Sequence, residues 1–234
     1  MAALMTSDFD DTDRLSIEIT ECQKMGIAVL QPDINESYHE FAVVRDDNDP
    51  DNRKAQIRFG MDAIKNVGTG VVEEILRARK EGGRFKDLDD FLSKVSARIC
   101  NRKAMESLVK AGAFDRFGDR SQLIHNLDIM LAYANKLQKE ASSGQVDLFG
   151  MSTDVEIAKP MLTLEKAAVV FNPREQLLWE RELLGLYLSQ HPLAMFKDYL
   201  EEQTMPLNAL KPEHDGKAVV IGGGITDMRE ITTK

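Results

Sequence analysis

The seven residues Ile64-Lys65-Asn66-Val67-Gly68-Thr69-Gly70 leave the backbone few conformations. Asn66 and Gly68 are the residue types that best tolerate a positive φ, and Val67 between them can plug the gap where the flanking segments meet. Ahead of the turn Met61 and Ile64 lie three apart. Behind it Val71, Val72, Ile75, Leu76 and Arg79 repeat at helical spacing with the apolar side chains on one face. The pattern predicts a tight turn joining two short helices. At the start of the second helix the amides of Gly68, Thr69 and Gly70 are left unpaired, and with the helix dipole they favour a phosphate oxygen. An ordinary corner between two helices produces the same pattern, so the turn alone does not choose between them.

Charge favours the phosphate. The chain of 234 residues has 30 Lys and Arg against 39 Asp and Glu, a formal net charge of −9, which by itself argues against a nucleic-acid binder. The distribution argues otherwise: residues 1–52 carry −10, residues 53–120 carry +6 and residues 121–234 carry −5. The only basic stretch therefore surrounds the glycine turn. Arg53, Lys54, Arg58, Lys65, Arg77, Arg79, Lys80, Arg84 and Lys86 form the electrostatic footprint expected of backbone-directed binding.

No apolar run is long enough to cross a membrane and no secretory leader is evident, so a cytoplasmic protein without a membrane partner is expected. Cys22 and Cys100 have neither disulfide nor zinc spacing and are expected to be reduced and buried. Met1-Ala2-Ala3-Leu4-Met5 has the pattern of the second half of a helix, which suggests that Met1 is internal to something longer.

Asp13 is expected to cap a helix with Leu15, Ile19 and Cys22 inward, stopping at Gly26 before a short strand Ile27–Leu30. Phe41–Val44 and Gln56–Phe59 read as a small hairpin around the acidic loop 46–52. Asp87 and Asn101 cap two more helices, the second ending at Gly112. Gly112-Ala113-Phe114-Asp115 then leads to Asp119-Arg120-Ser121-Gln122, a capping-box pattern opening one long helix through Leu123, Leu127, Met130, Leu131, Ala134 and Leu137. Two helix-turn-helix units in tandem would present two turns to one duplex. Periodicity is lost from Ala141 to about Phe171. It resumes at Asn172-Pro173-Arg174-Glu175, a capping box with proline at the first helical position, followed by Leu177, Leu178, Trp179, Leu183, Leu184 and Leu188. Ala218–Ile221 and Ile225 read as a first strand with Gly222–Gly224 as a bend.

Within the aperiodic stretch lies Gln145-Val146-Asp147-Leu148-Phe149-Gly150, whose adjacent large apolar residues have no periodic neighbours. Seated in a partner's pocket, Leu148 and Phe149 would each contribute about 1.5–3 kcal/mol, with Gln145 and Asp147 giving directional hydrogen bonds. Folding back onto their own domain is the other reading, and the residues alone leave both open.

Taken together the chain resembles the alpha subunits of bacterial DNA polymerase III, the C family of DNA polymerases, over nearly its whole length. The resemblance is carried by Met1–Ser7, Glu21-Cys22-Gln23-Lys24-Met25-Gly26-Ile27, Gln31-Pro32-Asp33-Ile34-Asn35, Ile57-Arg58-Phe59-Gly60-Met61 through Val67-Gly68, Leu108–Asp115 and Leu184–Leu193, in that order and spacing. It implies a mainly α fold: the end of the fingers domain (1–52), with a small mixed α/β piece, and a tandem helix-hairpin-helix DNA-binding domain (53–140). It further implies a linker bearing a sliding-clamp motif (141–171), a helical connector (172–205) and the first strand of a truncated OB fold (206–234). Lys65, Asn66, Val67, Gly68, Thr69 and Gly70 are then the DNA-binding residues, and Gln145, Asp147, Leu148 and Phe149 match the clamp-binding pattern position by position. The implied partners are duplex DNA, the sliding clamp (beta subunit) and other replicase subunits. Asn66 stands where generic helix-hairpin-helix motifs have glycine, Gln31 where the family often has a second proline, and Ala113 and Phe114 depart from the usual second hairpin.

No catalytic or metal-binding set is expected in this chain. Asp11-Thr12-Asp13 has suitable residue types but precedes a helix cap. Asp47, Asp49 and Asp51 imitate an EF-hand loop, yet Asn52 replaces its glycine and Arg58 its bidentate glutamate. His39, His125, His191 and His214 are scattered. The resemblance places the Mg2+ and the catalytic aspartates of a DNA-directed DNA polymerase in other parts of the parent enzyme, with no cofactor on this stretch. A stand-alone helix-hairpin-helix adaptor in repair or recombination is the alternative.

Overall fold

The computed structural model describes residues 1–45, 55–142 and 161–224. The acidic loop 46–52, Arg53, Lys54, the segment with Gln145, Asp147, Leu148 and Phe149, and Ile225 lie outside the described residues. Two compact units emerge, Met1–Ser189 and Gln190–Lys234.

In the larger unit α1 (Ala2–Ser7) precedes α2 (Thr12–Lys24). The cap of α2 is Asp11 rather than the expected Asp13: its carboxylate accepts from the amides of Asp13 and Arg14, which leaves Asp13 in the first turn, where its charge favours the helix dipole. Leu15, Ile19 and Cys22 are buried as their spacing requires, and Gly26 ends the helix at φ 74°. Strands β1 (Val29–Leu30), β2 (Ala42–Val44) and β3 (Gln56–Arg58) form a small mixed sheet in the order β1-β3-β2. β2 pairs antiparallel with β3, with Val43 opposite Ile57, and β1 pairs parallel with it. Phe41 and Phe59 meet edge to face at 4.7 Å beneath the sheet.

Six helices follow: α3 (Thr69–Gly82), α4 (Leu88–Lys94), α5 (Arg102–Lys110), α6 (Arg120–His125), α7 (Leu127–Ser142) and α8 (Pro173–Leu184). Asp87 and Asn101 cap α4 and α5 through the amides of Asp90 and Ala104, and Asn172 and Glu175 close a reciprocal capping box on α8. α5 packs on α6, α7 and α8, and Phe85, Phe91 and Phe114 run edge to face through the core beside it, with centroids 5.0 and 4.8 Å apart. Of the apolar residues expected on α8, Leu183 and Leu184 are buried, while Leu178 is exposed.

The single long helix expected after Asp119 is broken at Asn126, which is fully buried. Its side chain is needed elsewhere. Nδ2 donates to the carbonyls of Gln122 and Glu165, and Oδ1 accepts the Glu165 amide at 2.8 Å, so one amide group pairs with Glu165 as a neighbouring strand would. The described part of the aperiodic stretch, residues 161–171, is thus an arm laid on α6 and α7. Leu162 and Leu164 pack on the core, and the Phe171 amide donates to Ser121 Oγ at 3.0 Å.

The smaller unit contains α9 (Lys197–Gln203) and three single 3-10 turns. Residues 218–221, expected as a strand, pair with no other strand among the described residues; the Val220 carbonyl accepts one bond, from the Met205 amide at 2.8 Å. No helix among the described residues is long and apolar enough to cross a membrane.

Asn126→Ala leaves both backbone groups of Glu165 without their side-chain partner. It should cost on the order of 2 kcal/mol in a urea titration and speed limited proteolysis within 161–171; unchanged cleavage there would show that the apolar contacts of Leu162 and Leu164 suffice.

Candidate nucleic-acid interface

The turn at 64–70 is built from its buried side chains outward. Ile64 and Val67 are sunk in the core at 1% and 6% exposure, while Lys65, Asn66, Gly68, Thr69 and Gly70 face solvent. Asn66 adopts φ 69°, the only non-glycine residue among those described with a positive φ. The reversal comes at Asn66; Gly68 is extended at φ −76°, ψ 154°. Only α3 leaves this turn as a helix. Ahead of it, residues 61–66 make successive tight turns, with the Ile64 amide on the Met61 carbonyl and the Val67 amide on the Ile64 carbonyl, so the expected first helix of the hairpin is absent. Five residues between Gly60 and Asn66 are too few for a helix, and Gly60 is wedged against the backbone of His39 and Glu40. The Lys65 amide donates to the Leu183 carbonyl at 2.9 Å, and the Asn66 side chain reaches Ser107 Oγ on α5 at 3.4 Å. These bonds fix the turn against α5 and α8.

Gly68 is the cap residue of α3 and offers no side chain to its amides, and no acidic residue occupies the first turn. Among the described residues the amides of Gly68, Thr69 and Gly70 have no hydrogen-bond partner. A Cβ at Gly68 or Gly70 would meet nothing within 4 Å. Neither glycine is therefore demanded by its φ or by packing; both leave open space beside exposed donors at the positive end of a 14-residue helix. Lys65 adds a cation with no ion pair among the described residues. The adjoining cleft, about 370 Å³ between Phe9, Asp62, Lys65, Glu182 and Gly185, has mostly carboxylates for its charges and does not suit an anion.

The second turn is of another kind. Gly112 has φ 90°, and Arg120 stands against the place where its Cβ would be. Ala113 and Phe114 are buried at 1% and 0%, and the Ala113 carbonyl accepts the Ile34 amide. The following helix is capped by Asp119, whose carboxylate takes the amides of Ser121 and Gln122. Donors that a phosphate would use are thus occupied, by a group of the phosphate's own sign. The two turns expected to face one duplex are unequal, and the first alone is open.

The basic residues around the first turn are also unequal. Arg58 pairs with Glu36 and donates to the Gln31 carbonyl. Arg77 is held by Glu74 and Glu81, and Arg84 by Glu36. Arg79 lies over the Tyr38 ring, donating to the carbonyls of Ile34 and Ser37. These four arginines of the expected footprint serve the fold. Lys65, Lys80 and Lys86 are exposed without an ion pair among the described residues. The partners of Arg77 sit at helical spacings of three and four and were readable in the chain; Glu36, far away in sequence, carried no such signal.

Glu74 ties the footprint to the core. Its carboxylate accepts from Arg77 and from the Ser96 amide, and the Arg77 hydrogen bond holds its pKa below the ordinary 4.5 against the cost of burial. Burial, with the Glu74 charge beside it, pushes the Cys100 thiol up to about 12, an inert buried cysteine. No group of three or more His, Cys, Asp or Glu among the described residues is arranged to hold a metal ion. Asp11 is spent as a helix cap, and His39 is paired with Asp62 at 2.9 Å.

A helix-hairpin-helix motif family model matches residues 26–123, the stretch that contains both turns. Over the whole chain, proteins named DNA polymerase III subunit alpha are 36% identical in Haemophilus influenzae, 38% in Pasteurella multocida and 34% in Escherichia coli. The chain belongs to the DNA polymerase III alpha-subunit family. It spans about a fifth of the length of each of these relatives, 20% in all three. The open turn at Lys65–Gly70 lies within the stretch that the helix-hairpin-helix model matches.

Two outcomes follow from the turn's construction. Asn66→Val forces a β-branched residue to φ 69° and should destabilise the fold by about 1–3 kcal/mol, whereas Asn66→Gly should be tolerated; thermal melts distinguish them. Glu74 binds its proton less readily folded than unfolded, so its contribution is present above its ordinary 4.5 and is lost as pH falls through the lower folded value. Glu74→Gln should flatten the acid side of the stability–pH curve; an unchanged curve would mean that Glu74 does not couple to folding.

Proposed function

We propose that this stretch of a DNA polymerase III alpha subunit grips duplex DNA without regard to sequence, seating a backbone phosphate on the amides of Gly68, Thr69 and Gly70 with Lys65 beside it. The observation that carries the reading is the exposed, uncapped start of α3, free of acidic residues and ringed by open space, in the only basic part of an acidic chain. Backbone donors read no base edges, so such a contact steadies the duplex and leaves sequence unread. Val67 holds the turn from below and Asn66 reverses the chain.

In the whole protein the grip would serve DNA-templated DNA synthesis in replication, with the catalytic carboxylates and their Mg2+ in other parts of the longer chain. Gln145, Asp147, Leu148 and Phe149 would tether the protein to the sliding clamp, the two apolar side chains filling a pocket of the clamp. Residues 206–234 would begin an OB domain completed by further strands, and a replicase built this way works in the cytoplasm with its other subunits.

Duplex affinity of the 234-residue chain should fall steeply between 50 and 200 mM salt, and Lys65→Glu should weaken it about tenfold at the lower salt. Affinity indifferent to both salt and Lys65→Glu would remove the DNA-binding assignment. For the tether, Leu148→Ala with Phe149→Ala should abolish pull-down by the sliding clamp while leaving duplex binding intact; undiminished pull-down would refute it.

A further inference from the structure

We infer that Lys103 on α5 is a second phosphate anchor, taking the phosphate next along the strand from the one held at the start of α3; this rests on the duplex-binding reading of the Lys65–Gly70 turn. Two contacts bracket its position. Asn66, just before α3, reaches Ser107 of α5 at 3.4 Å, and Glu74, in the middle of α3, accepts the amide of Ser96, ahead of α5, at 2.8 Å. The partners run in opposite directions, from 66 to 74 on one side and from 107 down to 96 on the other. Position 103 therefore falls between these two contacts, alongside the first half of α3.

Lys103 is also on the right face. It precedes Ser107 by four residues, so the two share one side of α5 about 6 Å apart along the axis. Ser107 is buried under Asn66, whereas Lys103 is exposed. Lys103 thus stands one helical turn along α5 from the Asn66 contact. Space is available: a Cβ on Gly70 would meet no atom within 4 Å.

Charge bookkeeping on α5 singles out the same residue. Arg102 is paired with Asp128 at 3.3 Å and Lys110 with Glu106 at 2.6 Å, while Lys103 has no carboxylate partner among the described residues. The neighbouring carboxylate on α3, Glu73, is exposed and makes no ion pair with it among those residues. Lys65 and Lys103 then flank the open amides from two sides, and the strand would lie across the starts of α3 and α5. The composition of the basic stretch could not select Lys103 from the other cations there; what distinguishes it is its placement against the turn.

The test measures duplex DNA binding by the full chain across a salt series. Lys103→Gln should lower the slope of log affinity against log salt by about one unit, and Lys103→Glu should weaken binding about tenfold at 100 mM salt. Lys136→Glu, an equal charge reversal on an exposed lysine of α7, should change affinity by less than twofold. Circular dichroism and melting of each variant should match the parent, since neither side chain is buried. If Lys65→Glu weakens binding and Lys103→Glu does not, Lys103 is no anchor and the turn acts alone. If Lys103→Glu and Lys136→Glu weaken binding equally, the effect is net charge and the anchor is also refuted. If neither Lys65→Glu nor Lys103→Glu has an effect, the reading beneath this inference falls with it.

Discussion

A buried guanidinium holds three parts of the chain in register. Arg120, 7% exposed, donates to Asp115 at 2.6 and 2.7 Å, to the Lys110 carbonyl at the end of α5, and to the Gln31 side chain that follows β1. Its charge is also answered by Glu180 of α8 at 3.7 Å, and Glu180, 1% exposed, in turn accepts from Gln31, from the amides of Leu188 and Ser189 and from the Ser189 hydroxyl. A buried ion pair of this kind is weak as a net source of stability, but losing one partner leaves an uncompensated charge, at a cost of about 3–5 kcal/mol. The sheet, the helix pairs and α8 are therefore committed to one arrangement, and it is that arrangement which presents the first turn outward with its amides unused.

The same network explains why the two turns differ. Arg120 fills the space over Gly112, Asp115 is drawn to the guanidinium, and Ala113 and Phe114 go into the core. The second turn is a joint. The first has no such demands on it: its side chains Ile64 and Val67 satisfy the core, and its glycines are left at the surface with nothing to pack against. The caps repeat the contrast, Gly68 with no side chain on α3 and Asp119 with a carboxylate on α6. Helix stability alone would favour the carboxylate in both places. A glycine cap beside an exposed lysine is what a helix start requires when the anion comes from outside the protein.

Much of the fold was legible because it is written in local chemistry. Asp87, Asn101, Asp119 and the Asn172–Glu175 box announced their helices, and the two short segments Phe41–Val44 and Gln56–Phe59 on either side of the acidic loop announced the hairpin of β2 and β3. The turn at Asn66-Val67-Gly68 was legible in part for the same reason: Val67 is buried as expected, while of the two residues suited to a positive φ only Asn66 adopts one. What escaped depends on residues distant in sequence. The helix broke at Asn126 because Glu165, thirty-nine positions away, takes its side chain. Arg58 and Arg84 look like free cations until Glu36 is brought to them by the fold. Lys103 is unremarkable in the chain and becomes distinctive only when α5 is laid beside α3. The resemblance to C-family polymerases supplied what neither kind of reasoning could, a whole enzyme in which the proposed phosphate-binding turn has a place.

The uncapped start of α3 carries the proposed phosphate contact, and Gly68→Asp addresses it directly. The backbone at Gly68 is extended and a Cβ there meets no other atom, so the substitution is sterically free. The new carboxylate would take the α3 amides as Asp119 takes those of α6. Measured together by thermal melting and duplex binding across a salt series, Gly68→Asp should leave the fold as stable as the parent or more so, while duplex affinity falls at least tenfold. A variant equally stable that binds duplex with the parent's affinity and salt dependence would contradict the claim that those amides hold a phosphate.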